Sequence, residues 1–268
     1  MQRNCQEIFA NIFIYDGSVM RTLFASIVFG VMVSAASAPL SAEQCINLEN
    51  FSSSALNNFP NGWKPREEAG KNVYLVSKEG DMFFVRARAK GSKAEGNGIE
   101  ADRPVSWNIQ EYPILRWKWR ARIFPSGANE DTGKDDSALG VYIGFCPPED
   151  VALCERSVKG ELRLTDRIML PKLFLNKGAG SLKYIWSGQL AKGFEFEKSR
   201  KAVKVLESGA PKNRDEWVEE RADVASDYRR RFGARKALDP IGISILTDAD
   251  DTQSVAEGDY ADFRLCRG

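Results

Sequence analysis

The stretch Ile114-Leu115-Arg116-Trp117-Lys118-Trp119-Arg120-Ala121-Arg122-Ile123 decides the reading of this chain. Large apolar residues alternate with cations at period two, the pattern of a half-buried β-strand rather than of a helix. Leu115, Trp117, Trp119 and Ala121 share one face, while Arg116, Lys118, Arg120 and Arg122 share the other. The tryptophans, lying beside Leu115 and Ala121, are expected in the core.

The same alternation recurs outward from this strand. Met82 to Lys90 sets Val85, Ala87 and Ala89 against Arg86, Arg88 and Lys90. It follows Val73 to Ser77 across Lys78-Glu79-Gly80-Asp81, a hairpin turn. Further strands are expected at Ala138 to Phe145, Leu182 to Trp186, Ala202 to Leu206, Trp217 to Arg221, Ile241 to Leu246 and Tyr260 to Leu265. One helix is expected, capped by Asp223, with Val224, Tyr228 and Phe232 on one face and Gly233 at its end. A second short helical segment is expected within Glu155 to Lys177. Nine or so strands with one or two short helices exclude a doubly wound α/β fold. They point to an all-β, two-sheet antiparallel β-sandwich, jelly-roll or galactose-binding-like.

Composition sets the class. The chain has 268 residues, 43% hydrophobic and 28% charged, and a net charge of +1 from 38 basic and 37 acidic residues. It is globular, and neither nucleic-acid binding nor an acidic tail follows from its charge. It contains no histidine. That removes Ser–His–Asp and Cys–His nucleophiles, histidine-bound zinc and histidine general bases together.

Leu23 to Val33 is an apolar run preceded by Met20 and Arg21 and followed by Ser34-Ala35-Ala36-Ser37-Ala38. This is the plan of a secretory signal peptide, and the run is shorter than the roughly 20 residues that span a bilayer. Residues 1–38 are therefore read as leader, with Met20 as the true start, and 39–268 as one domain without a transmembrane helix. A periplasmic or secreted location follows. Four cysteines then remain, an even number suited to two disulfides, with three possible connectivities. Cys146–Cys154, closing a local loop, and Cys45–Cys266, joining the chain ends, are the favoured pair.

From about Phe51 onward the chain resembles the domain-of-unknown-function family numbered 3047, a group of exported bacterial proteins. The resemblance rests on Pro60-x-Gly62-Trp63, Pro113-x-Leu115-x-Trp117-x-Trp119-Arg120, and Asp135-Asp136-x-Ala138 leading into Val141-Tyr142-x-x-Phe145. Tyr184-Ile185-Trp186, Trp217, Arg221-x-Asp223-Val224, Asp227-Tyr228, Phe232-Gly233 and Asp248-x-Asp250-x-Thr252 complete it. It implies export and a sandwich fold, and brings no catalytic residues with it.

Three constellations are candidates for function. The cations Arg86, Arg88, Arg116, Lys118 and Arg120 form a basic stripe that needs neutralising, by carboxylates such as Glu216 and Glu220 or by an external anion. Arginine pairs bidentately with carboxylate or sulfate, so an acidic polysaccharide or another envelope polyanion is the expected partner. Trp63, Trp107 and Trp186 lie nearer turns and strand ends, and Trp186 is the one chosen to stack on a sugar. Asp248, Asp250 and Asp251 are candidate Ca²⁺ ligands, and the acidic loop Glu130-Asp131 with Asp135-Asp136 joins them if the strands are neighbours. No other cofactor is expected. Catalysis without histidine would use paired carboxylates (Asp136 and Asp250) or tyrosine bases (Tyr142 and Tyr184). The leading reading is non-catalytic glycan or anion binding. A polysaccharide lyase or glycoside hydrolase on the same scaffold is the alternative, and a structural or assembly protein of the envelope is the third.

Overall fold

In the computed structural model, the residues described are 43–65, 68–91, 100–150, 152–154, 180–198, 201–211, 213 and 215–268. The leader and the whole of 155–177, where the second helical segment is expected, lie outside them. The elements are β1 (Cys45–Glu49), β2 (Lys64–Pro65), β3 (Tyr74–Glu79), β4 (Met82–Lys90), β5 (Glu100–Pro104), β6 (Ile114–Ile123) and β7 (Leu139–Phe145). They continue with β8 (Gly180–Ser187), β9 (Glu195–Lys198), β10 (Lys201–Ser208), β11 (Val218–Asp223), α1 (Val224–Phe232), β12 (Pro240–Leu246) and β13 (Val255–Cys266).

Sheet A has the order β11-β6-β13-β4-β3, with β1 also pairing to β13, and sheet B the order β2-β5-β12-β7-β8-β10-β9. The result is a two-sheet sandwich of jelly-roll kind. All pairs in sheet A are antiparallel. Sheet B departs from the antiparallel expectation at one place, because β10 runs parallel to β8. After β8 the chain passes to the outer position as β9, and β10 returns between β9 and β8, antiparallel to the former.

The alternation of β6 is realised as expected: Leu115, Trp117, Trp119 and Ala121 are fully buried between the sheets. Trp117 and Trp119 meet edge to face at 5.2 Å, and sheet B answers with Tyr184 at 5.8 Å from Trp117 and Trp186 at 6.0 Å from Trp119. Burying each indole removes roughly 200 Å² from water, worth at most on the order of 5 kcal/mol before entropy. Gly258 of β13 closes the layers, since a Cβ there would lie 2.4 Å from Leu139 and 2.9 Å from the Ala138 carbonyl.

Two phenols of sheet A cross the interior and anchor the end of β12. Tyr260 donates to the Leu246 carbonyl at 2.7 Å and accepts from the Gly140 N–H at 3.2 Å. Tyr74 accepts from the Thr247 N–H at 3.1 Å. The acidic residues after Thr247 therefore start from a fixed point. At the other end Asp223 caps α1 by accepting from the Ser226 N–H, and Gly233 ends it in the left-handed conformation at φ 64°. Two disulfides, Cys45–Cys266 and Cys146–Cys154, are formed. They fit an oxidising compartment. Among the described residues no helix is long and apolar enough to cross a membrane.

Candidate functional site

The cations of β4 and β6 share the outer face of sheet A, but the two strands do not touch. β13 lies between them and sets Glu257 opposite Arg88, and Asp259 opposite both Arg86 and Arg120. Asp259 is fully buried and accepts from Arg86 Nε at 3.0 Å, Arg120 Nε at 2.8 Å and Arg122 Nε at 2.7 Å. Arg88 bonds Glu257 at 3.0 Å. Arg116 bonds Glu43 at 2.7 Å and Glu219 at 2.9 Å, and Lys118 lies 3.3 Å from Asp262. The neutralising carboxylates are thus these, and not Glu216 and Glu220. Glu220 points inward, where it accepts from Trp119 Nε1 at 3.2 Å; burial and the nearby Glu207 push its carboxyl up to about 7.

Two residues of the expected binding set are enclosed. Arg120 is only 1% exposed, held under Trp217, whose ring lies 4.3 Å from the guanidinium. Trp186 is packed between Trp119 and Phe124, and its Nε1 donates to the Gly209 carbonyl at 2.9 Å. Its position near a strand end suggested a free indole; its inward register on β8 makes it core.

The acidic residues do assemble. Carboxylate oxygens of Asp136, Asp248 and Asp250 all lie within 4.8 Å of one another. Asp136 is buried and accepts from the Asp251 and Thr252 N–H groups at 3.2 and 2.7 Å. Asp251 instead turns to Asp135; that hydrogen bond, then burial, pushes it up to about 6. These three carboxylates could hold a cation, with the rest of the roughly six to eight oxygens that calcium takes coming from backbone carbonyls and water. Burial, and then the charges of Asp250 and Asp136, push Asp248 up to about 7. A raised carboxyl binds its proton more tightly folded than unfolded, so its contribution is present below about pH 4 and lost as pH rises through 7. Asp248→Asn is therefore expected to gain on the order of 1–2 kcal/mol at pH 8 and little at pH 4. Urea unfolding at the two pH values checks it; equal effects at both would refute the repulsion.

Tyr142 and Tyr184 cannot share a substrate. Tyr184 sits opposite Val141 on β7 and faces the core, donating to Asp227 at 3.0 Å, with burial and that carboxylate holding its phenol well above the ordinary range. Tyr142 pairs with Lys183 across β7 and β8, on the outer face of sheet B. There Lys183, Lys198 and Lys201, with Glu130, Asp135, Phe196 and Val203, line a small open recess of about 30 Å³. Sequence reasoning passed over these lysines. The available signal was Lys183 itself, a lone charge inside the otherwise apolar run Leu182 to Trp186.

Fold and site define a disulfide-bonded β-sandwich with a carboxylate-paired arginine face and a polar recess on the opposite sheet. The chain belongs to the family described as "Protein of unknown function (DUF3047)", whose profile matches residues 61–264. Similar solved structures include the K2 cleaved adhesin domain of Lys-gingipain, 9% identical over 85% of this chain and 99% of that one, with a TM-score of 0.36. The carbohydrate-binding module CBM28, specific for non-crystalline cellulose, is 9% identical over 80% and 94%, at 0.35. Endoglucanase 3 of Trichoderma harzianum, from family GH12, is 11% identical over 84% and 97%, at 0.37. Identities and scores this low transfer neither ligand nor activity. No curated protein matches the chain.

Proposed function

We propose that the protein is exported through its N-terminal leader and binds an acidic glycan or similar polyanion, without turnover, on the outer face of sheet A. The reading rests on the layering of charge there. Side chains of Arg88 and Arg86 are 54% and 39% exposed, whereas their partners Glu257 and Asp259 are 12% and 0% exposed. The carboxylates form a floor and the guanidiniums stand above it. Each guanidinium has five N–H donors, and one carboxylate occupies only some of them. On β4 the outermost groups are therefore donors of positive charge at the strand repeat, and they suit a polymer carrying repeated carboxylates or sulfates; on β6 the carboxylates stand as high as the cations, Glu219 at 36% beside Arg116 at 29%. Arg116 and Lys118 extend the row, while Arg120 supports it from below.

The test is retention of the purified oxidised protein on acidic and neutral glycan resins at low and moderate salt. Retention on the acidic resin alone, falling with salt, is expected. Arg88→Gln with Lys118→Gln removes two exposed cations at little cost in stability, and is expected to weaken binding about tenfold. Equal retention of the variant, or none of the parent, would sink the proposal.

A further inference from the structure

The recess on sheet B has a feature that the arginine face lacks. Lys183 is 5% exposed, yet among the described residues its ammonium has no hydrogen bond and no carboxylate within ion-pair distance. Its ammonium lies 5.2 Å from the centre of the Tyr142 ring, and Lys201 lies at the same distance from that ring. Two cations thus share one phenol, and among the described residues neither has a carboxylate of its own. The carboxylates lining the recess are engaged elsewhere. Glu130 accepts from Ser187 Oγ at 2.8 Å and the Gly188 N–H at 3.3 Å, and Asp135 pairs with Lys198 at 3.2 Å. The Lys183 stem is buried while its ammonium opens to the recess, where its three donors can take an anion.

We propose that this recess is a binding site for a single carboxylate group, held between the Lys183 and Lys201 ammoniums, with Phe196 and Val203 as its apolar wall. The site selects a carboxylate for physical reasons. A neutral hydroxyl would leave the repulsion between the two lysines in place, whereas one negative charge offsets it and accepts from both. Burial first, then Lys201, lowers the Lys183 ammonium to about 8, while Asp135, Asp248 and Glu130 act against that shift. Without an anion the lysine holds its proton less firmly than an ordinary one. With one, it is held charged. The site lies on the sheet opposite the arginine face, so it stands or falls independently of polymer binding there.

A carboxylate can come from a sugar acid or from a peptide end. Calorimetric titration with D-glucuronate, with N-acetylglycine and with D-glucose separates the sources. Glucuronate binding with glucose silent is expected. Binding of N-acetylglycine as well identifies the carboxylate alone as the determinant, and its silence identifies a sugar acid; either supports the site. Glucose binding as well as glucuronate, or neither acid binding at millimolar concentrations, overturns it. Lys183→Met is expected to lose at least about tenfold in glucuronate affinity, the worth of a charge-assisted hydrogen bond. The same variant is expected to melt higher at pH 7, because an unpaired charge is gone. Unchanged affinity in this folded variant also overturns the site. Lys71→Gln, an exposed cation outside both sheets, is expected to leave glucuronate affinity unchanged; a parent that binds glucuronate in a Lys183-dependent way yet is not retained on the acidic resin separates failure of the arginine face from failure here.

Discussion

Replacing Asp259 with asparagine is expected to destabilise the protein by about 3–5 kcal/mol, the scale for breaking a buried ion pair from one side. Its carboxylate is fully buried, and both oxygens are occupied: one by Arg86, the other by Arg120 and Arg122. Asparagine keeps the shape, but it removes the charge and turns an amide N–H₂ toward one guanidinium. Three cations then face each other, and Arg120 cannot escape to water, being enclosed by Trp217 and Phe84. Its remaining ion-pair partner, Glu79 at 3.0 Å, is more than half exposed and so is well screened. Urea unfolding at pH 7 measures the loss, with an unchanged m-value showing that the folded state is the same. Asp262→Asn is the control, since its pairs with Lys118 and Arg264, at 3.3 Å, are about a third exposed and reached by water; about 1 kcal/mol or less is expected there. Adding Arg86→Gln to the Asp259 variant is expected to recover part of the loss by removing one repelling charge. A loss below about 1 kcal/mol for Asp259→Asn would mean that the guanidiniums are neutralised by solvent, and the layered charge would then have no fixed floor.

How much of this was legible in the sequence follows from what a strand declares locally. β4 and β6 were readable to the residue because one face is apolar without a break, and α1 was readable because both of its caps are sequence signals. β13 was read only from Tyr260 onward. Asp262 adopts a left-handed φ of 54° and the register slips beside it, so Tyr260 and Phe263, three apart, both enter the core. The unread part, Val255–Asp259, carries Glu257, Gly258 and Asp259 and a second register slip at Glu257/Gly258, so it shows no period-two apolar face. β1, β2, β5 and β9 went unread, the last three because they are short and polar in sequence. The site suffered from the same locality. That β13 separates β4 from β6 is a pairing over more than a hundred residues, and no local pattern announces it. Without it, seven cations looked like an open stripe. With it, six of them are ion-paired, and beneath Arg86 and Arg88 the carboxylates are buried. The approach of Asp136 to Asp248 and Asp250 was conditional on strand neighbours in the same way, and β7 beside β12 meets the condition.

The bridge between the chain ends is where stability and the proposed binding face meet. Cys45 and Cys266 are register partners in the β1–β13 pair, 221 residues apart in sequence, whereas Cys146 and Cys154 are 8 apart. If a cross-link acts by restricting the unfolded chain, the long closure is worth about 5 kcal/mol and the short one about 2.5. Cys45→Ala with Cys266→Ala is therefore expected to lose about 3–5 kcal/mol in urea unfolding, and the Cys146/Cys154 pair of substitutions about half of that. The reverse order would mean that the terminal bridge acts on the folded state alone. A second consequence separates the two bridges further. Glu43 lies two residues before Cys45 and bonds both Arg116 and Arg221. Freeing β1 lets that carboxylate leave, while Arg116 keeps only Glu219. Opening the terminal bridge is thus expected to weaken the fold and yet strengthen low-salt retention on an acidic glycan, whereas opening the short one should leave retention unchanged. A loss of retention in the Cys45/Cys266 variant, under conditions where it is still folded, would place β1 itself within the binding surface.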